Sequence, residues 1–168
     1  RGRSPTTPKE ASVLTTSNTR SIVSLCFETH RDFSHTLEHL IDLLLKTPDD
    51  AIVVAPEVCL SGFAYDRFDE AADFTPLAIE TLFPHVGNRL LIFTAITREG
   101  EAIFNTAYAL HDHKILHRQS KAKLFALGAE HEHFRAAEEG GITPFEFEGI
   151  KIGILICFEL RFKTLWER

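Results

Sequence analysis

The stretch KIGILIC, residues 151–157, is apolar on both faces of an extended chain. Alternate residues of a strand point to opposite sides, so Ile152, Ile154 and Ile156 face one way and Gly153, Leu155 and Cys157 the other. Such a strand is expected at the centre of a sheet, with a layer packed on each side.

The preceding residues supply candidates for those layers. SIVSLCF, residues 21–27, predicts a first strand. Residues 31–46 place Leu37, Ile41, Leu44 and Leu45 at helical spacing, and Pro48 stops that helix. AIVVA, residues 51–55, predicts a short buried strand ending at Pro56-Glu57. Between residues 58 and 88 the pattern predicts a loop, a short helix over DRFDEAADF, and a second helix over TPLAIETLFPHV. Thr75 is its expected cap and Pro76 its first residue. From residue 90 the period changes to two, predicting strands LLIFTAIT, AIFNTAYAL and KILHRQSKAKLF with turns at residues 98–101 and 111–114. An irregular connection leads to a last hairpin, TPFEFE and KIGILIC, around Glu148-Gly149. The order β-α-β, helix, then successive strands is an α/β arrangement.

The 168 residues suffice for one domain with a core. Residues 1–18, rich in Ser, Thr and Pro, read as a flexible tail, leaving residues 19–168 as the domain. The sequence contains no Met and stops inside a helix-like stretch, so a piece of a longer reading frame is expected. Its 18 basic and 24 acidic residues give a net charge of −6, with no basic run for nucleic acid. No apolar stretch is long enough for a membrane span, and no signal core precedes the first strand. Cys26, Cys59 and Cys157 are odd in number and far apart, which disfavours disulfides and structural zinc and fits a reducing cytoplasm.

Cys157 ends a strand, and FELRFKTLWER after it has helical character. A strand–turn–helix corner lifts the sulfur out of the sheet, and the helix's positive end is expected to lower the thiol pKa. Most free cysteines are small buried hydrophobes. Cys26 is expected to be one of these, and packing is the favoured role for Cys59. Glu57 follows a buried strand at its C-terminal end, where α/β sheets build sites and where a carboxylate can lose solvent. Lys121, in QSKAKLF, could stabilise a developing oxyanion, and Lys123 competes for the role on spacing. The pairs His111/His113 and His131/His133 raise metal binding as a rival, with a solvated turn and a loop as the plainer readings.

Taken together, AIVVAPEVCLSGFAYD, QSKAKLF and GIKIGILICFELRF resemble, in order, the three motifs of the nitrilase, or carbon–nitrogen hydrolase, superfamily. The resemblance runs from near Ser21 to the C-terminus. Lys123 stands where the family usually has His, and Phe158 and Glu159 stand where Tyr and Asp are commoner. GAEHEHFRA is similar to a segment of omega-amidase-like members. The resemblance implies a four-layer α-β-β-α sandwich whose C-terminal part is missing from this chain. It implies Glu57 as base, Lys121 as cation, Cys157 as nucleophile, Glu130 as auxiliary glutamate, and the Phe158 backbone N–H as oxyanion donor. The expected reaction is hydrolysis of a small linear amide through a thioester, with no metal or cofactor and with no nucleic-acid or membrane partner. A homo-oligomer is expected of the complete protein. The alternative is an inactive truncated scaffold that keeps the triad without the complete pocket.

Overall fold

A computed structural model describes residues 20–167. The expected N-terminal tail lies outside the described residues. Five strands form one mixed sheet in the order β1-β2-β3-β4-β5. They are β1 (Ile22–Ser24), β2 (Ile52–Val54), β3 (Leu90–Glu99), β4 (Ala102–His111) and β5 (Lys114–Ser120). The first three run parallel, joined by helices α1 (Phe33–Leu45) and α2 (Phe68–Val86). The last three form an antiparallel meander. Its β4–β5 turn sets Asp112 and His113 both at positive φ (43° and 60°), the geometry a two-residue hairpin favours.

Helix α1 begins where Asp32 accepts hydrogen bonds from the Ser34 and His35 N–H groups, at 2.9 and 3.3 Å. Its buried stripe is Phe33, Leu37, Leu40 and Leu44, while Leu45 is exposed. Helix α2 corrects the reading of residues 58–88. One continuous helix replaces the two expected, and Thr75 is interior, not a cap. The Thr75 hydroxyl is buried and lies within hydrogen-bonding distance of the carbonyls of Ala71 and, in β3, Ile96. The helix carries Pro76 and Pro84 inside it. Each such proline costs about 3 kcal/mol of helix stability. Burial of Phe68, Ala71, Ala72, Ala78, Ile79, Leu82 and Val86 along one face offsets that cost.

Both helices pack on one face of the sheet, where Leu40, Leu44, Val53, Leu82, Leu91 and Phe93 join a continuous core. On the other face lies a second, two-stranded antiparallel sheet of β6 (Phe145–Phe147) and β7 (Ile150–Ile152). Phe147 packs there against Ile52, Leu90, Ile92 and Ala109. Arg20 fastens this hairpin to the main sheet. Its guanidinium makes a two-pronged pair with Glu148, both contacts 2.6 Å, and donates to the carbonyls of Asp50 and Asn88. Arg20→Ala is expected to cost about 2–3 kcal/mol in urea unfolding, with the loss centred on the hairpin.

The KIGILIC strand departs from expectation. Only its first two residues belong to β7, and Gly153–Ile156 continue without a ladder. Its apolar side chains instead line a groove of about 570 Å³. Ile22, Val54 and Ile92 of the main sheet form one wall, and Ile152, Leu160 and Trp166 the other. Ile22 and Trp166 are 76% and 62% exposed, so the groove is open there, while Ile52, Ile92 and Leu165 within its lining are buried. Ile152 and Ile154 pack against the main sheet beside Phe147, and Leu155 packs against Ala122, Ile142 and Leu165.

Candidate active site

Three chain segments converge at the C-terminal end of the parallel strands. Glu57 comes from the turn after β2. The next residue, Val58, is buried with φ of 44°, a region disfavoured for a β-branched side chain. That turn is held by a 2.6 Å bond from the Val58 N–H to the Thr94 hydroxyl, and the Val58 carbonyl accepts from the N–H groups of Ser61 and Gly62.

Lys121 follows the last residue of β5. Its side chain is completely buried, and its ammonium lies 2.7 Å from Glu57 Oε1 and 2.8 Å from Glu130 Oε1. Burial disfavours the lysine charge, but the hydrogen bonds and negative charge of Glu130 and Glu57 outweigh it, leaving the pKa raised. Glu130 opens the short helix α3 (Glu130–His133), entered through Ala129 in a left-handed conformation. Its second oxygen accepts from the Phe125 N–H at 2.8 Å, so both oxygens are held. Lys123 points elsewhere: it pairs with Glu139 and lies over the Phe162 ring. Of the two lysines that spacing leaves in competition, Lys121 is the one that lies beside Glu57 and Glu130. The chain leaves the strand after Ser120, so strand parity does not carry on to residue 123.

Cys157 reaches the same place from the far side. It begins a 3-10 turn, Cys157–Arg161, at φ of 48°, followed by the four-residue helix α4 (Lys163–Trp166). Among the described residues no long helix aims its positive end at the sulfur, and the expected lowering of the thiol pKa is not found. The pKa is raised: desolvation contributes most, then the charge of Glu57 and its hydrogen bond with the thiol, against a smaller opposing pull from Lys121. Phe158, next in the turn, packs its ring between Phe125 and Phe162. The other cysteines differ from one another. Cys59 is buried, its thiol pushed up to about 12 by burial, as fits a packing role. Cys26 is exposed beyond the end of β1, which corrects its assignment to a buried strand.

One contact lies outside what the motifs pointed to. Asn105, buried in the middle of β4, donates from Nδ2 to Glu57 Oε1 at 2.8 Å. Asn105 and Lys121 therefore hold the same carboxylate oxygen and leave Oε2 unclaimed by either. The Asn105 Oδ1 is buried without a partner, the only such side-chain atom among the described residues. The opposite flip of the amide would set two oxygens against each other, so the orphan atom, at about 1–3 kcal/mol, is the cost of gripping Glu57. A sequence signal for it exists: an Asn inside the otherwise strand-forming AIFNTAYAL needs a buried partner. Among the described residues, no group of three or more His, Cys, Asp or Glu is arranged to hold a metal ion. No helix among them is long and apolar enough to cross a membrane.

Comparison with known proteins assigns the chain to a family. The sequence profile of the carbon–nitrogen hydrolase family matches residues 25–167. The chain is 30% identical over 122 residues to the 2-oxoglutaramate amidase of Bacillus subtilis (strain 168), an alignment covering 70% of this chain and 46% of that one. It is 28% identical over 139 residues to the omega-amidase YafV of Yersinia enterocolitica, covering 82% and 53%. The chain thus spans about half the length of the curated relatives it matches. Its fold superposes with a TM-score of 0.71 on XC1258 of Xanthomonas campestris, a CN-hydrolase superfamily protein solved with an arsenic adduct in its active site. That match has 23% identity and covers 86% of this chain and 53% of the other. Saccharomyces cerevisiae Nit3, of branch 10 of the nitrilase superfamily, matches at 0.62, with 21% identity and 82% and 54% coverage. The α/β architecture is therefore of the nitrilase type, and this chain belongs to the carbon–nitrogen hydrolase family.

Proposed function

We propose that residues 19–168 form the part of a hydrolase domain that cleaves the C–N bond of a small linear amide, with Cys157 as nucleophile. The observation that carries this reading is the fully buried Lys121 ammonium clasped by Glu57 and Glu130, with the Cys157 thiol against Glu57. A fixed buried cation beside a thiol and a carboxylate suits acyl transfer, because the charge that develops is an oxyanion.

The raised thiol pKa defines how attack proceeds. The free site holds a protonated thiol, so Glu57 takes the proton as sulfur bonds to the carbonyl carbon. Lys121 and the Phe158 backbone N–H stabilise the oxyanion. Glu57 then passes the proton to the leaving nitrogen, the C–N bond breaks, and ammonia departs from a thioester. Water, deprotonated by Glu57, attacks the thioester. The thiol is regenerated and a carboxylic acid is released. Glu130 holds Lys121 in place, and Asn105 fixes the carboxylate that moves the proton. These steps balance with side chains and water alone, without a metal or organic cofactor.

The likeness to a 2-oxoglutaramate amidase and an omega-amidase supports the terminal amide of a short dicarboxylate as substrate. Three free cysteines fit a reducing, cytoplasmic setting, and a homo-oligomer is our expectation for the complete protein. The test is ammonia release from glutaramate or succinamate by the full polypeptide and its Cys157→Ala variant. Turnover in the first and none in the folded second is expected. Equal rates would overturn the mechanism, and no turnover by either would favour the inactive-scaffold alternative.

A further inference from the structure

Glu159 is a buried carboxylate that the proposed mechanism does not use. Its side chain is fully buried, and no lysine or arginine pairs with it among the described residues. Its partners are backbone N–H groups from two segments. Oε1 accepts from Ala122 at 2.6 Å and from Lys123 at 3.3 Å. Oε2 accepts from Ile156 at 2.8 Å, reaching back to the residue that opens its own turn. Ala122 immediately follows Lys121, and Ile156 immediately precedes Cys157. One carboxylate therefore ties the residue after the cation to the residue before the nucleophile, 34 positions further along the sequence.

Both segments lie beyond the end of a strand; the Lys121 N–H still donates to the Asn105 carbonyl of β4 at 2.8 Å and its carbonyl accepts from the Ala137 N–H at 2.9 Å, whereas Ala122 and Ile156 meet through Glu159. β5 has ended at Ser120, β7 at Ile152, and Cys157 occupies a left-handed conformation that only surrounding contacts maintain. The three hydrogen bonds of Glu159 are such contacts, strengthened by their charge and their burial.

We infer that Glu159 is a positioning residue that sets the separation between the Cys157 sulfur and the Lys121 ammonium by clamping both backbones. The inference rests on the roles proposed for Cys157 and Lys121, and Glu159 acts without touching substrate. Glu159→Gln keeps the length but turns an amide NH2 toward a backbone donor, so one side of the clamp opens. Glu159→Asp keeps the charge and both acceptors but is one methylene shorter.

The test uses the full polypeptide with glutaramate as substrate and a short aldehyde as probe. The aldehyde adds to the Cys157 sulfur and leaves an oxygen where the oxyanion forms. Glu159→Gln is expected to lower kcat about 100-fold, the scale of a misplacement near 1 Å, with KM changed less than about threefold. Affinity for the aldehyde should fall by the same factor as kcat/KM, which a general loosening of the fold would not produce. Glu159→Asp should recover at least about tenfold of that loss. If Glu159→Gln does not fold, Glu159→Asp carries the test alone, with kcat and aldehyde affinity falling together at an unchanged melting temperature. A folded Glu159→Gln variant with parental kcat, or one in which KM alone rises, overturns the inference, as does parental kcat in Glu159→Asp where that variant alone folds. Should Cys157→Ala be inactive while both Glu159 variants are normal, only this inference fails. Should Cys157→Ala stay active, the reading beneath it fails.

Discussion

Glu57→Gln is expected to lower turnover about 1,000-fold while making Cys157 react faster with iodoacetamide near pH 8. The two effects have opposite signs because Glu57 acts on the thiol in two ways. In the proposed mechanism it is the base in every proton transfer, and glutamine cannot accept the proton. As an anion and hydrogen-bond acceptor it raises the thiol pKa, second in effect only to desolvation. Removing its charge leaves Lys121 as the nearest ionic influence, and lysine favours the thiolate. Mass spectrometry of the alkylated peptide, timed against parental protein, separates Cys157 from exposed Cys26. Slower alkylation in the variant would show that Glu57 works by generating a resting thiolate, which contradicts the proposed order of events.

Lys121→Met should have the largest effect on stability. It leaves Glu57 and Glu130 facing each other without the cation that separates them. Stranding buried charge in this way costs about 3–5 kcal/mol, and loss of the oxyanion contact lowers kcat about 100- to 1,000-fold. The pH dependence identifies the cause. In the parental protein the lysine pKa is raised above its ordinary value of 10.5. Its contribution to stability is therefore complete below the unfolded-state value and is lost as pH rises through the folded-state one. In the variant the two carboxylates repel, so protonating one of them relieves the strain and stability should recover on acidification. Urea midpoints measured from about pH 5 to 9 test this. A variant as stable as the parent across that range would mean that Lys121 is not holding the carboxylates apart.

Much of the scaffold was legible in the sequence because its elements obey one period each. The stripe from Leu37 to Leu44 marks α1, and the alternation after residue 90 marks the meander. Helix α2 is hidden because Thr75-Pro76 is a strong local start signal. That signal is overridden by a buried face on both sides of it and by the Thr75 hydroxyl finding Ile96 in β3. Glu57, Lys121, Glu130 and Cys157 are each nameable from motif, and the structure brings them together. What the sequence could not convey is the sign of the thiol shift, which depends on how near a carboxylate comes and how short the following turn is. The contacts of Asn105 and Glu159 are hidden in the sequence for a related reason. Their partners are Oε1 of Glu57 and three backbone N–H groups, contacts made by tertiary packing and not by spacing.

The positive-φ residues other than glycine divide into two sets. Asp112, His113 and Glu148 sit in hairpin turns, where such angles are routine. Val58, Ala129 and Cys157 have no hairpin to justify them; each is, or immediately adjoins, one of the residues Glu57, Glu130 and Cys157. Glycine would relieve roughly 1 kcal/mol at each of the three. A laboratory selection for heat resistance alone would therefore be drawn to these positions. At 58 and 129 it would trade the rigidity of a carboxylate for tolerance of temperature. At 157 the hardier protein would be one that no longer carries the proposed nucleophile.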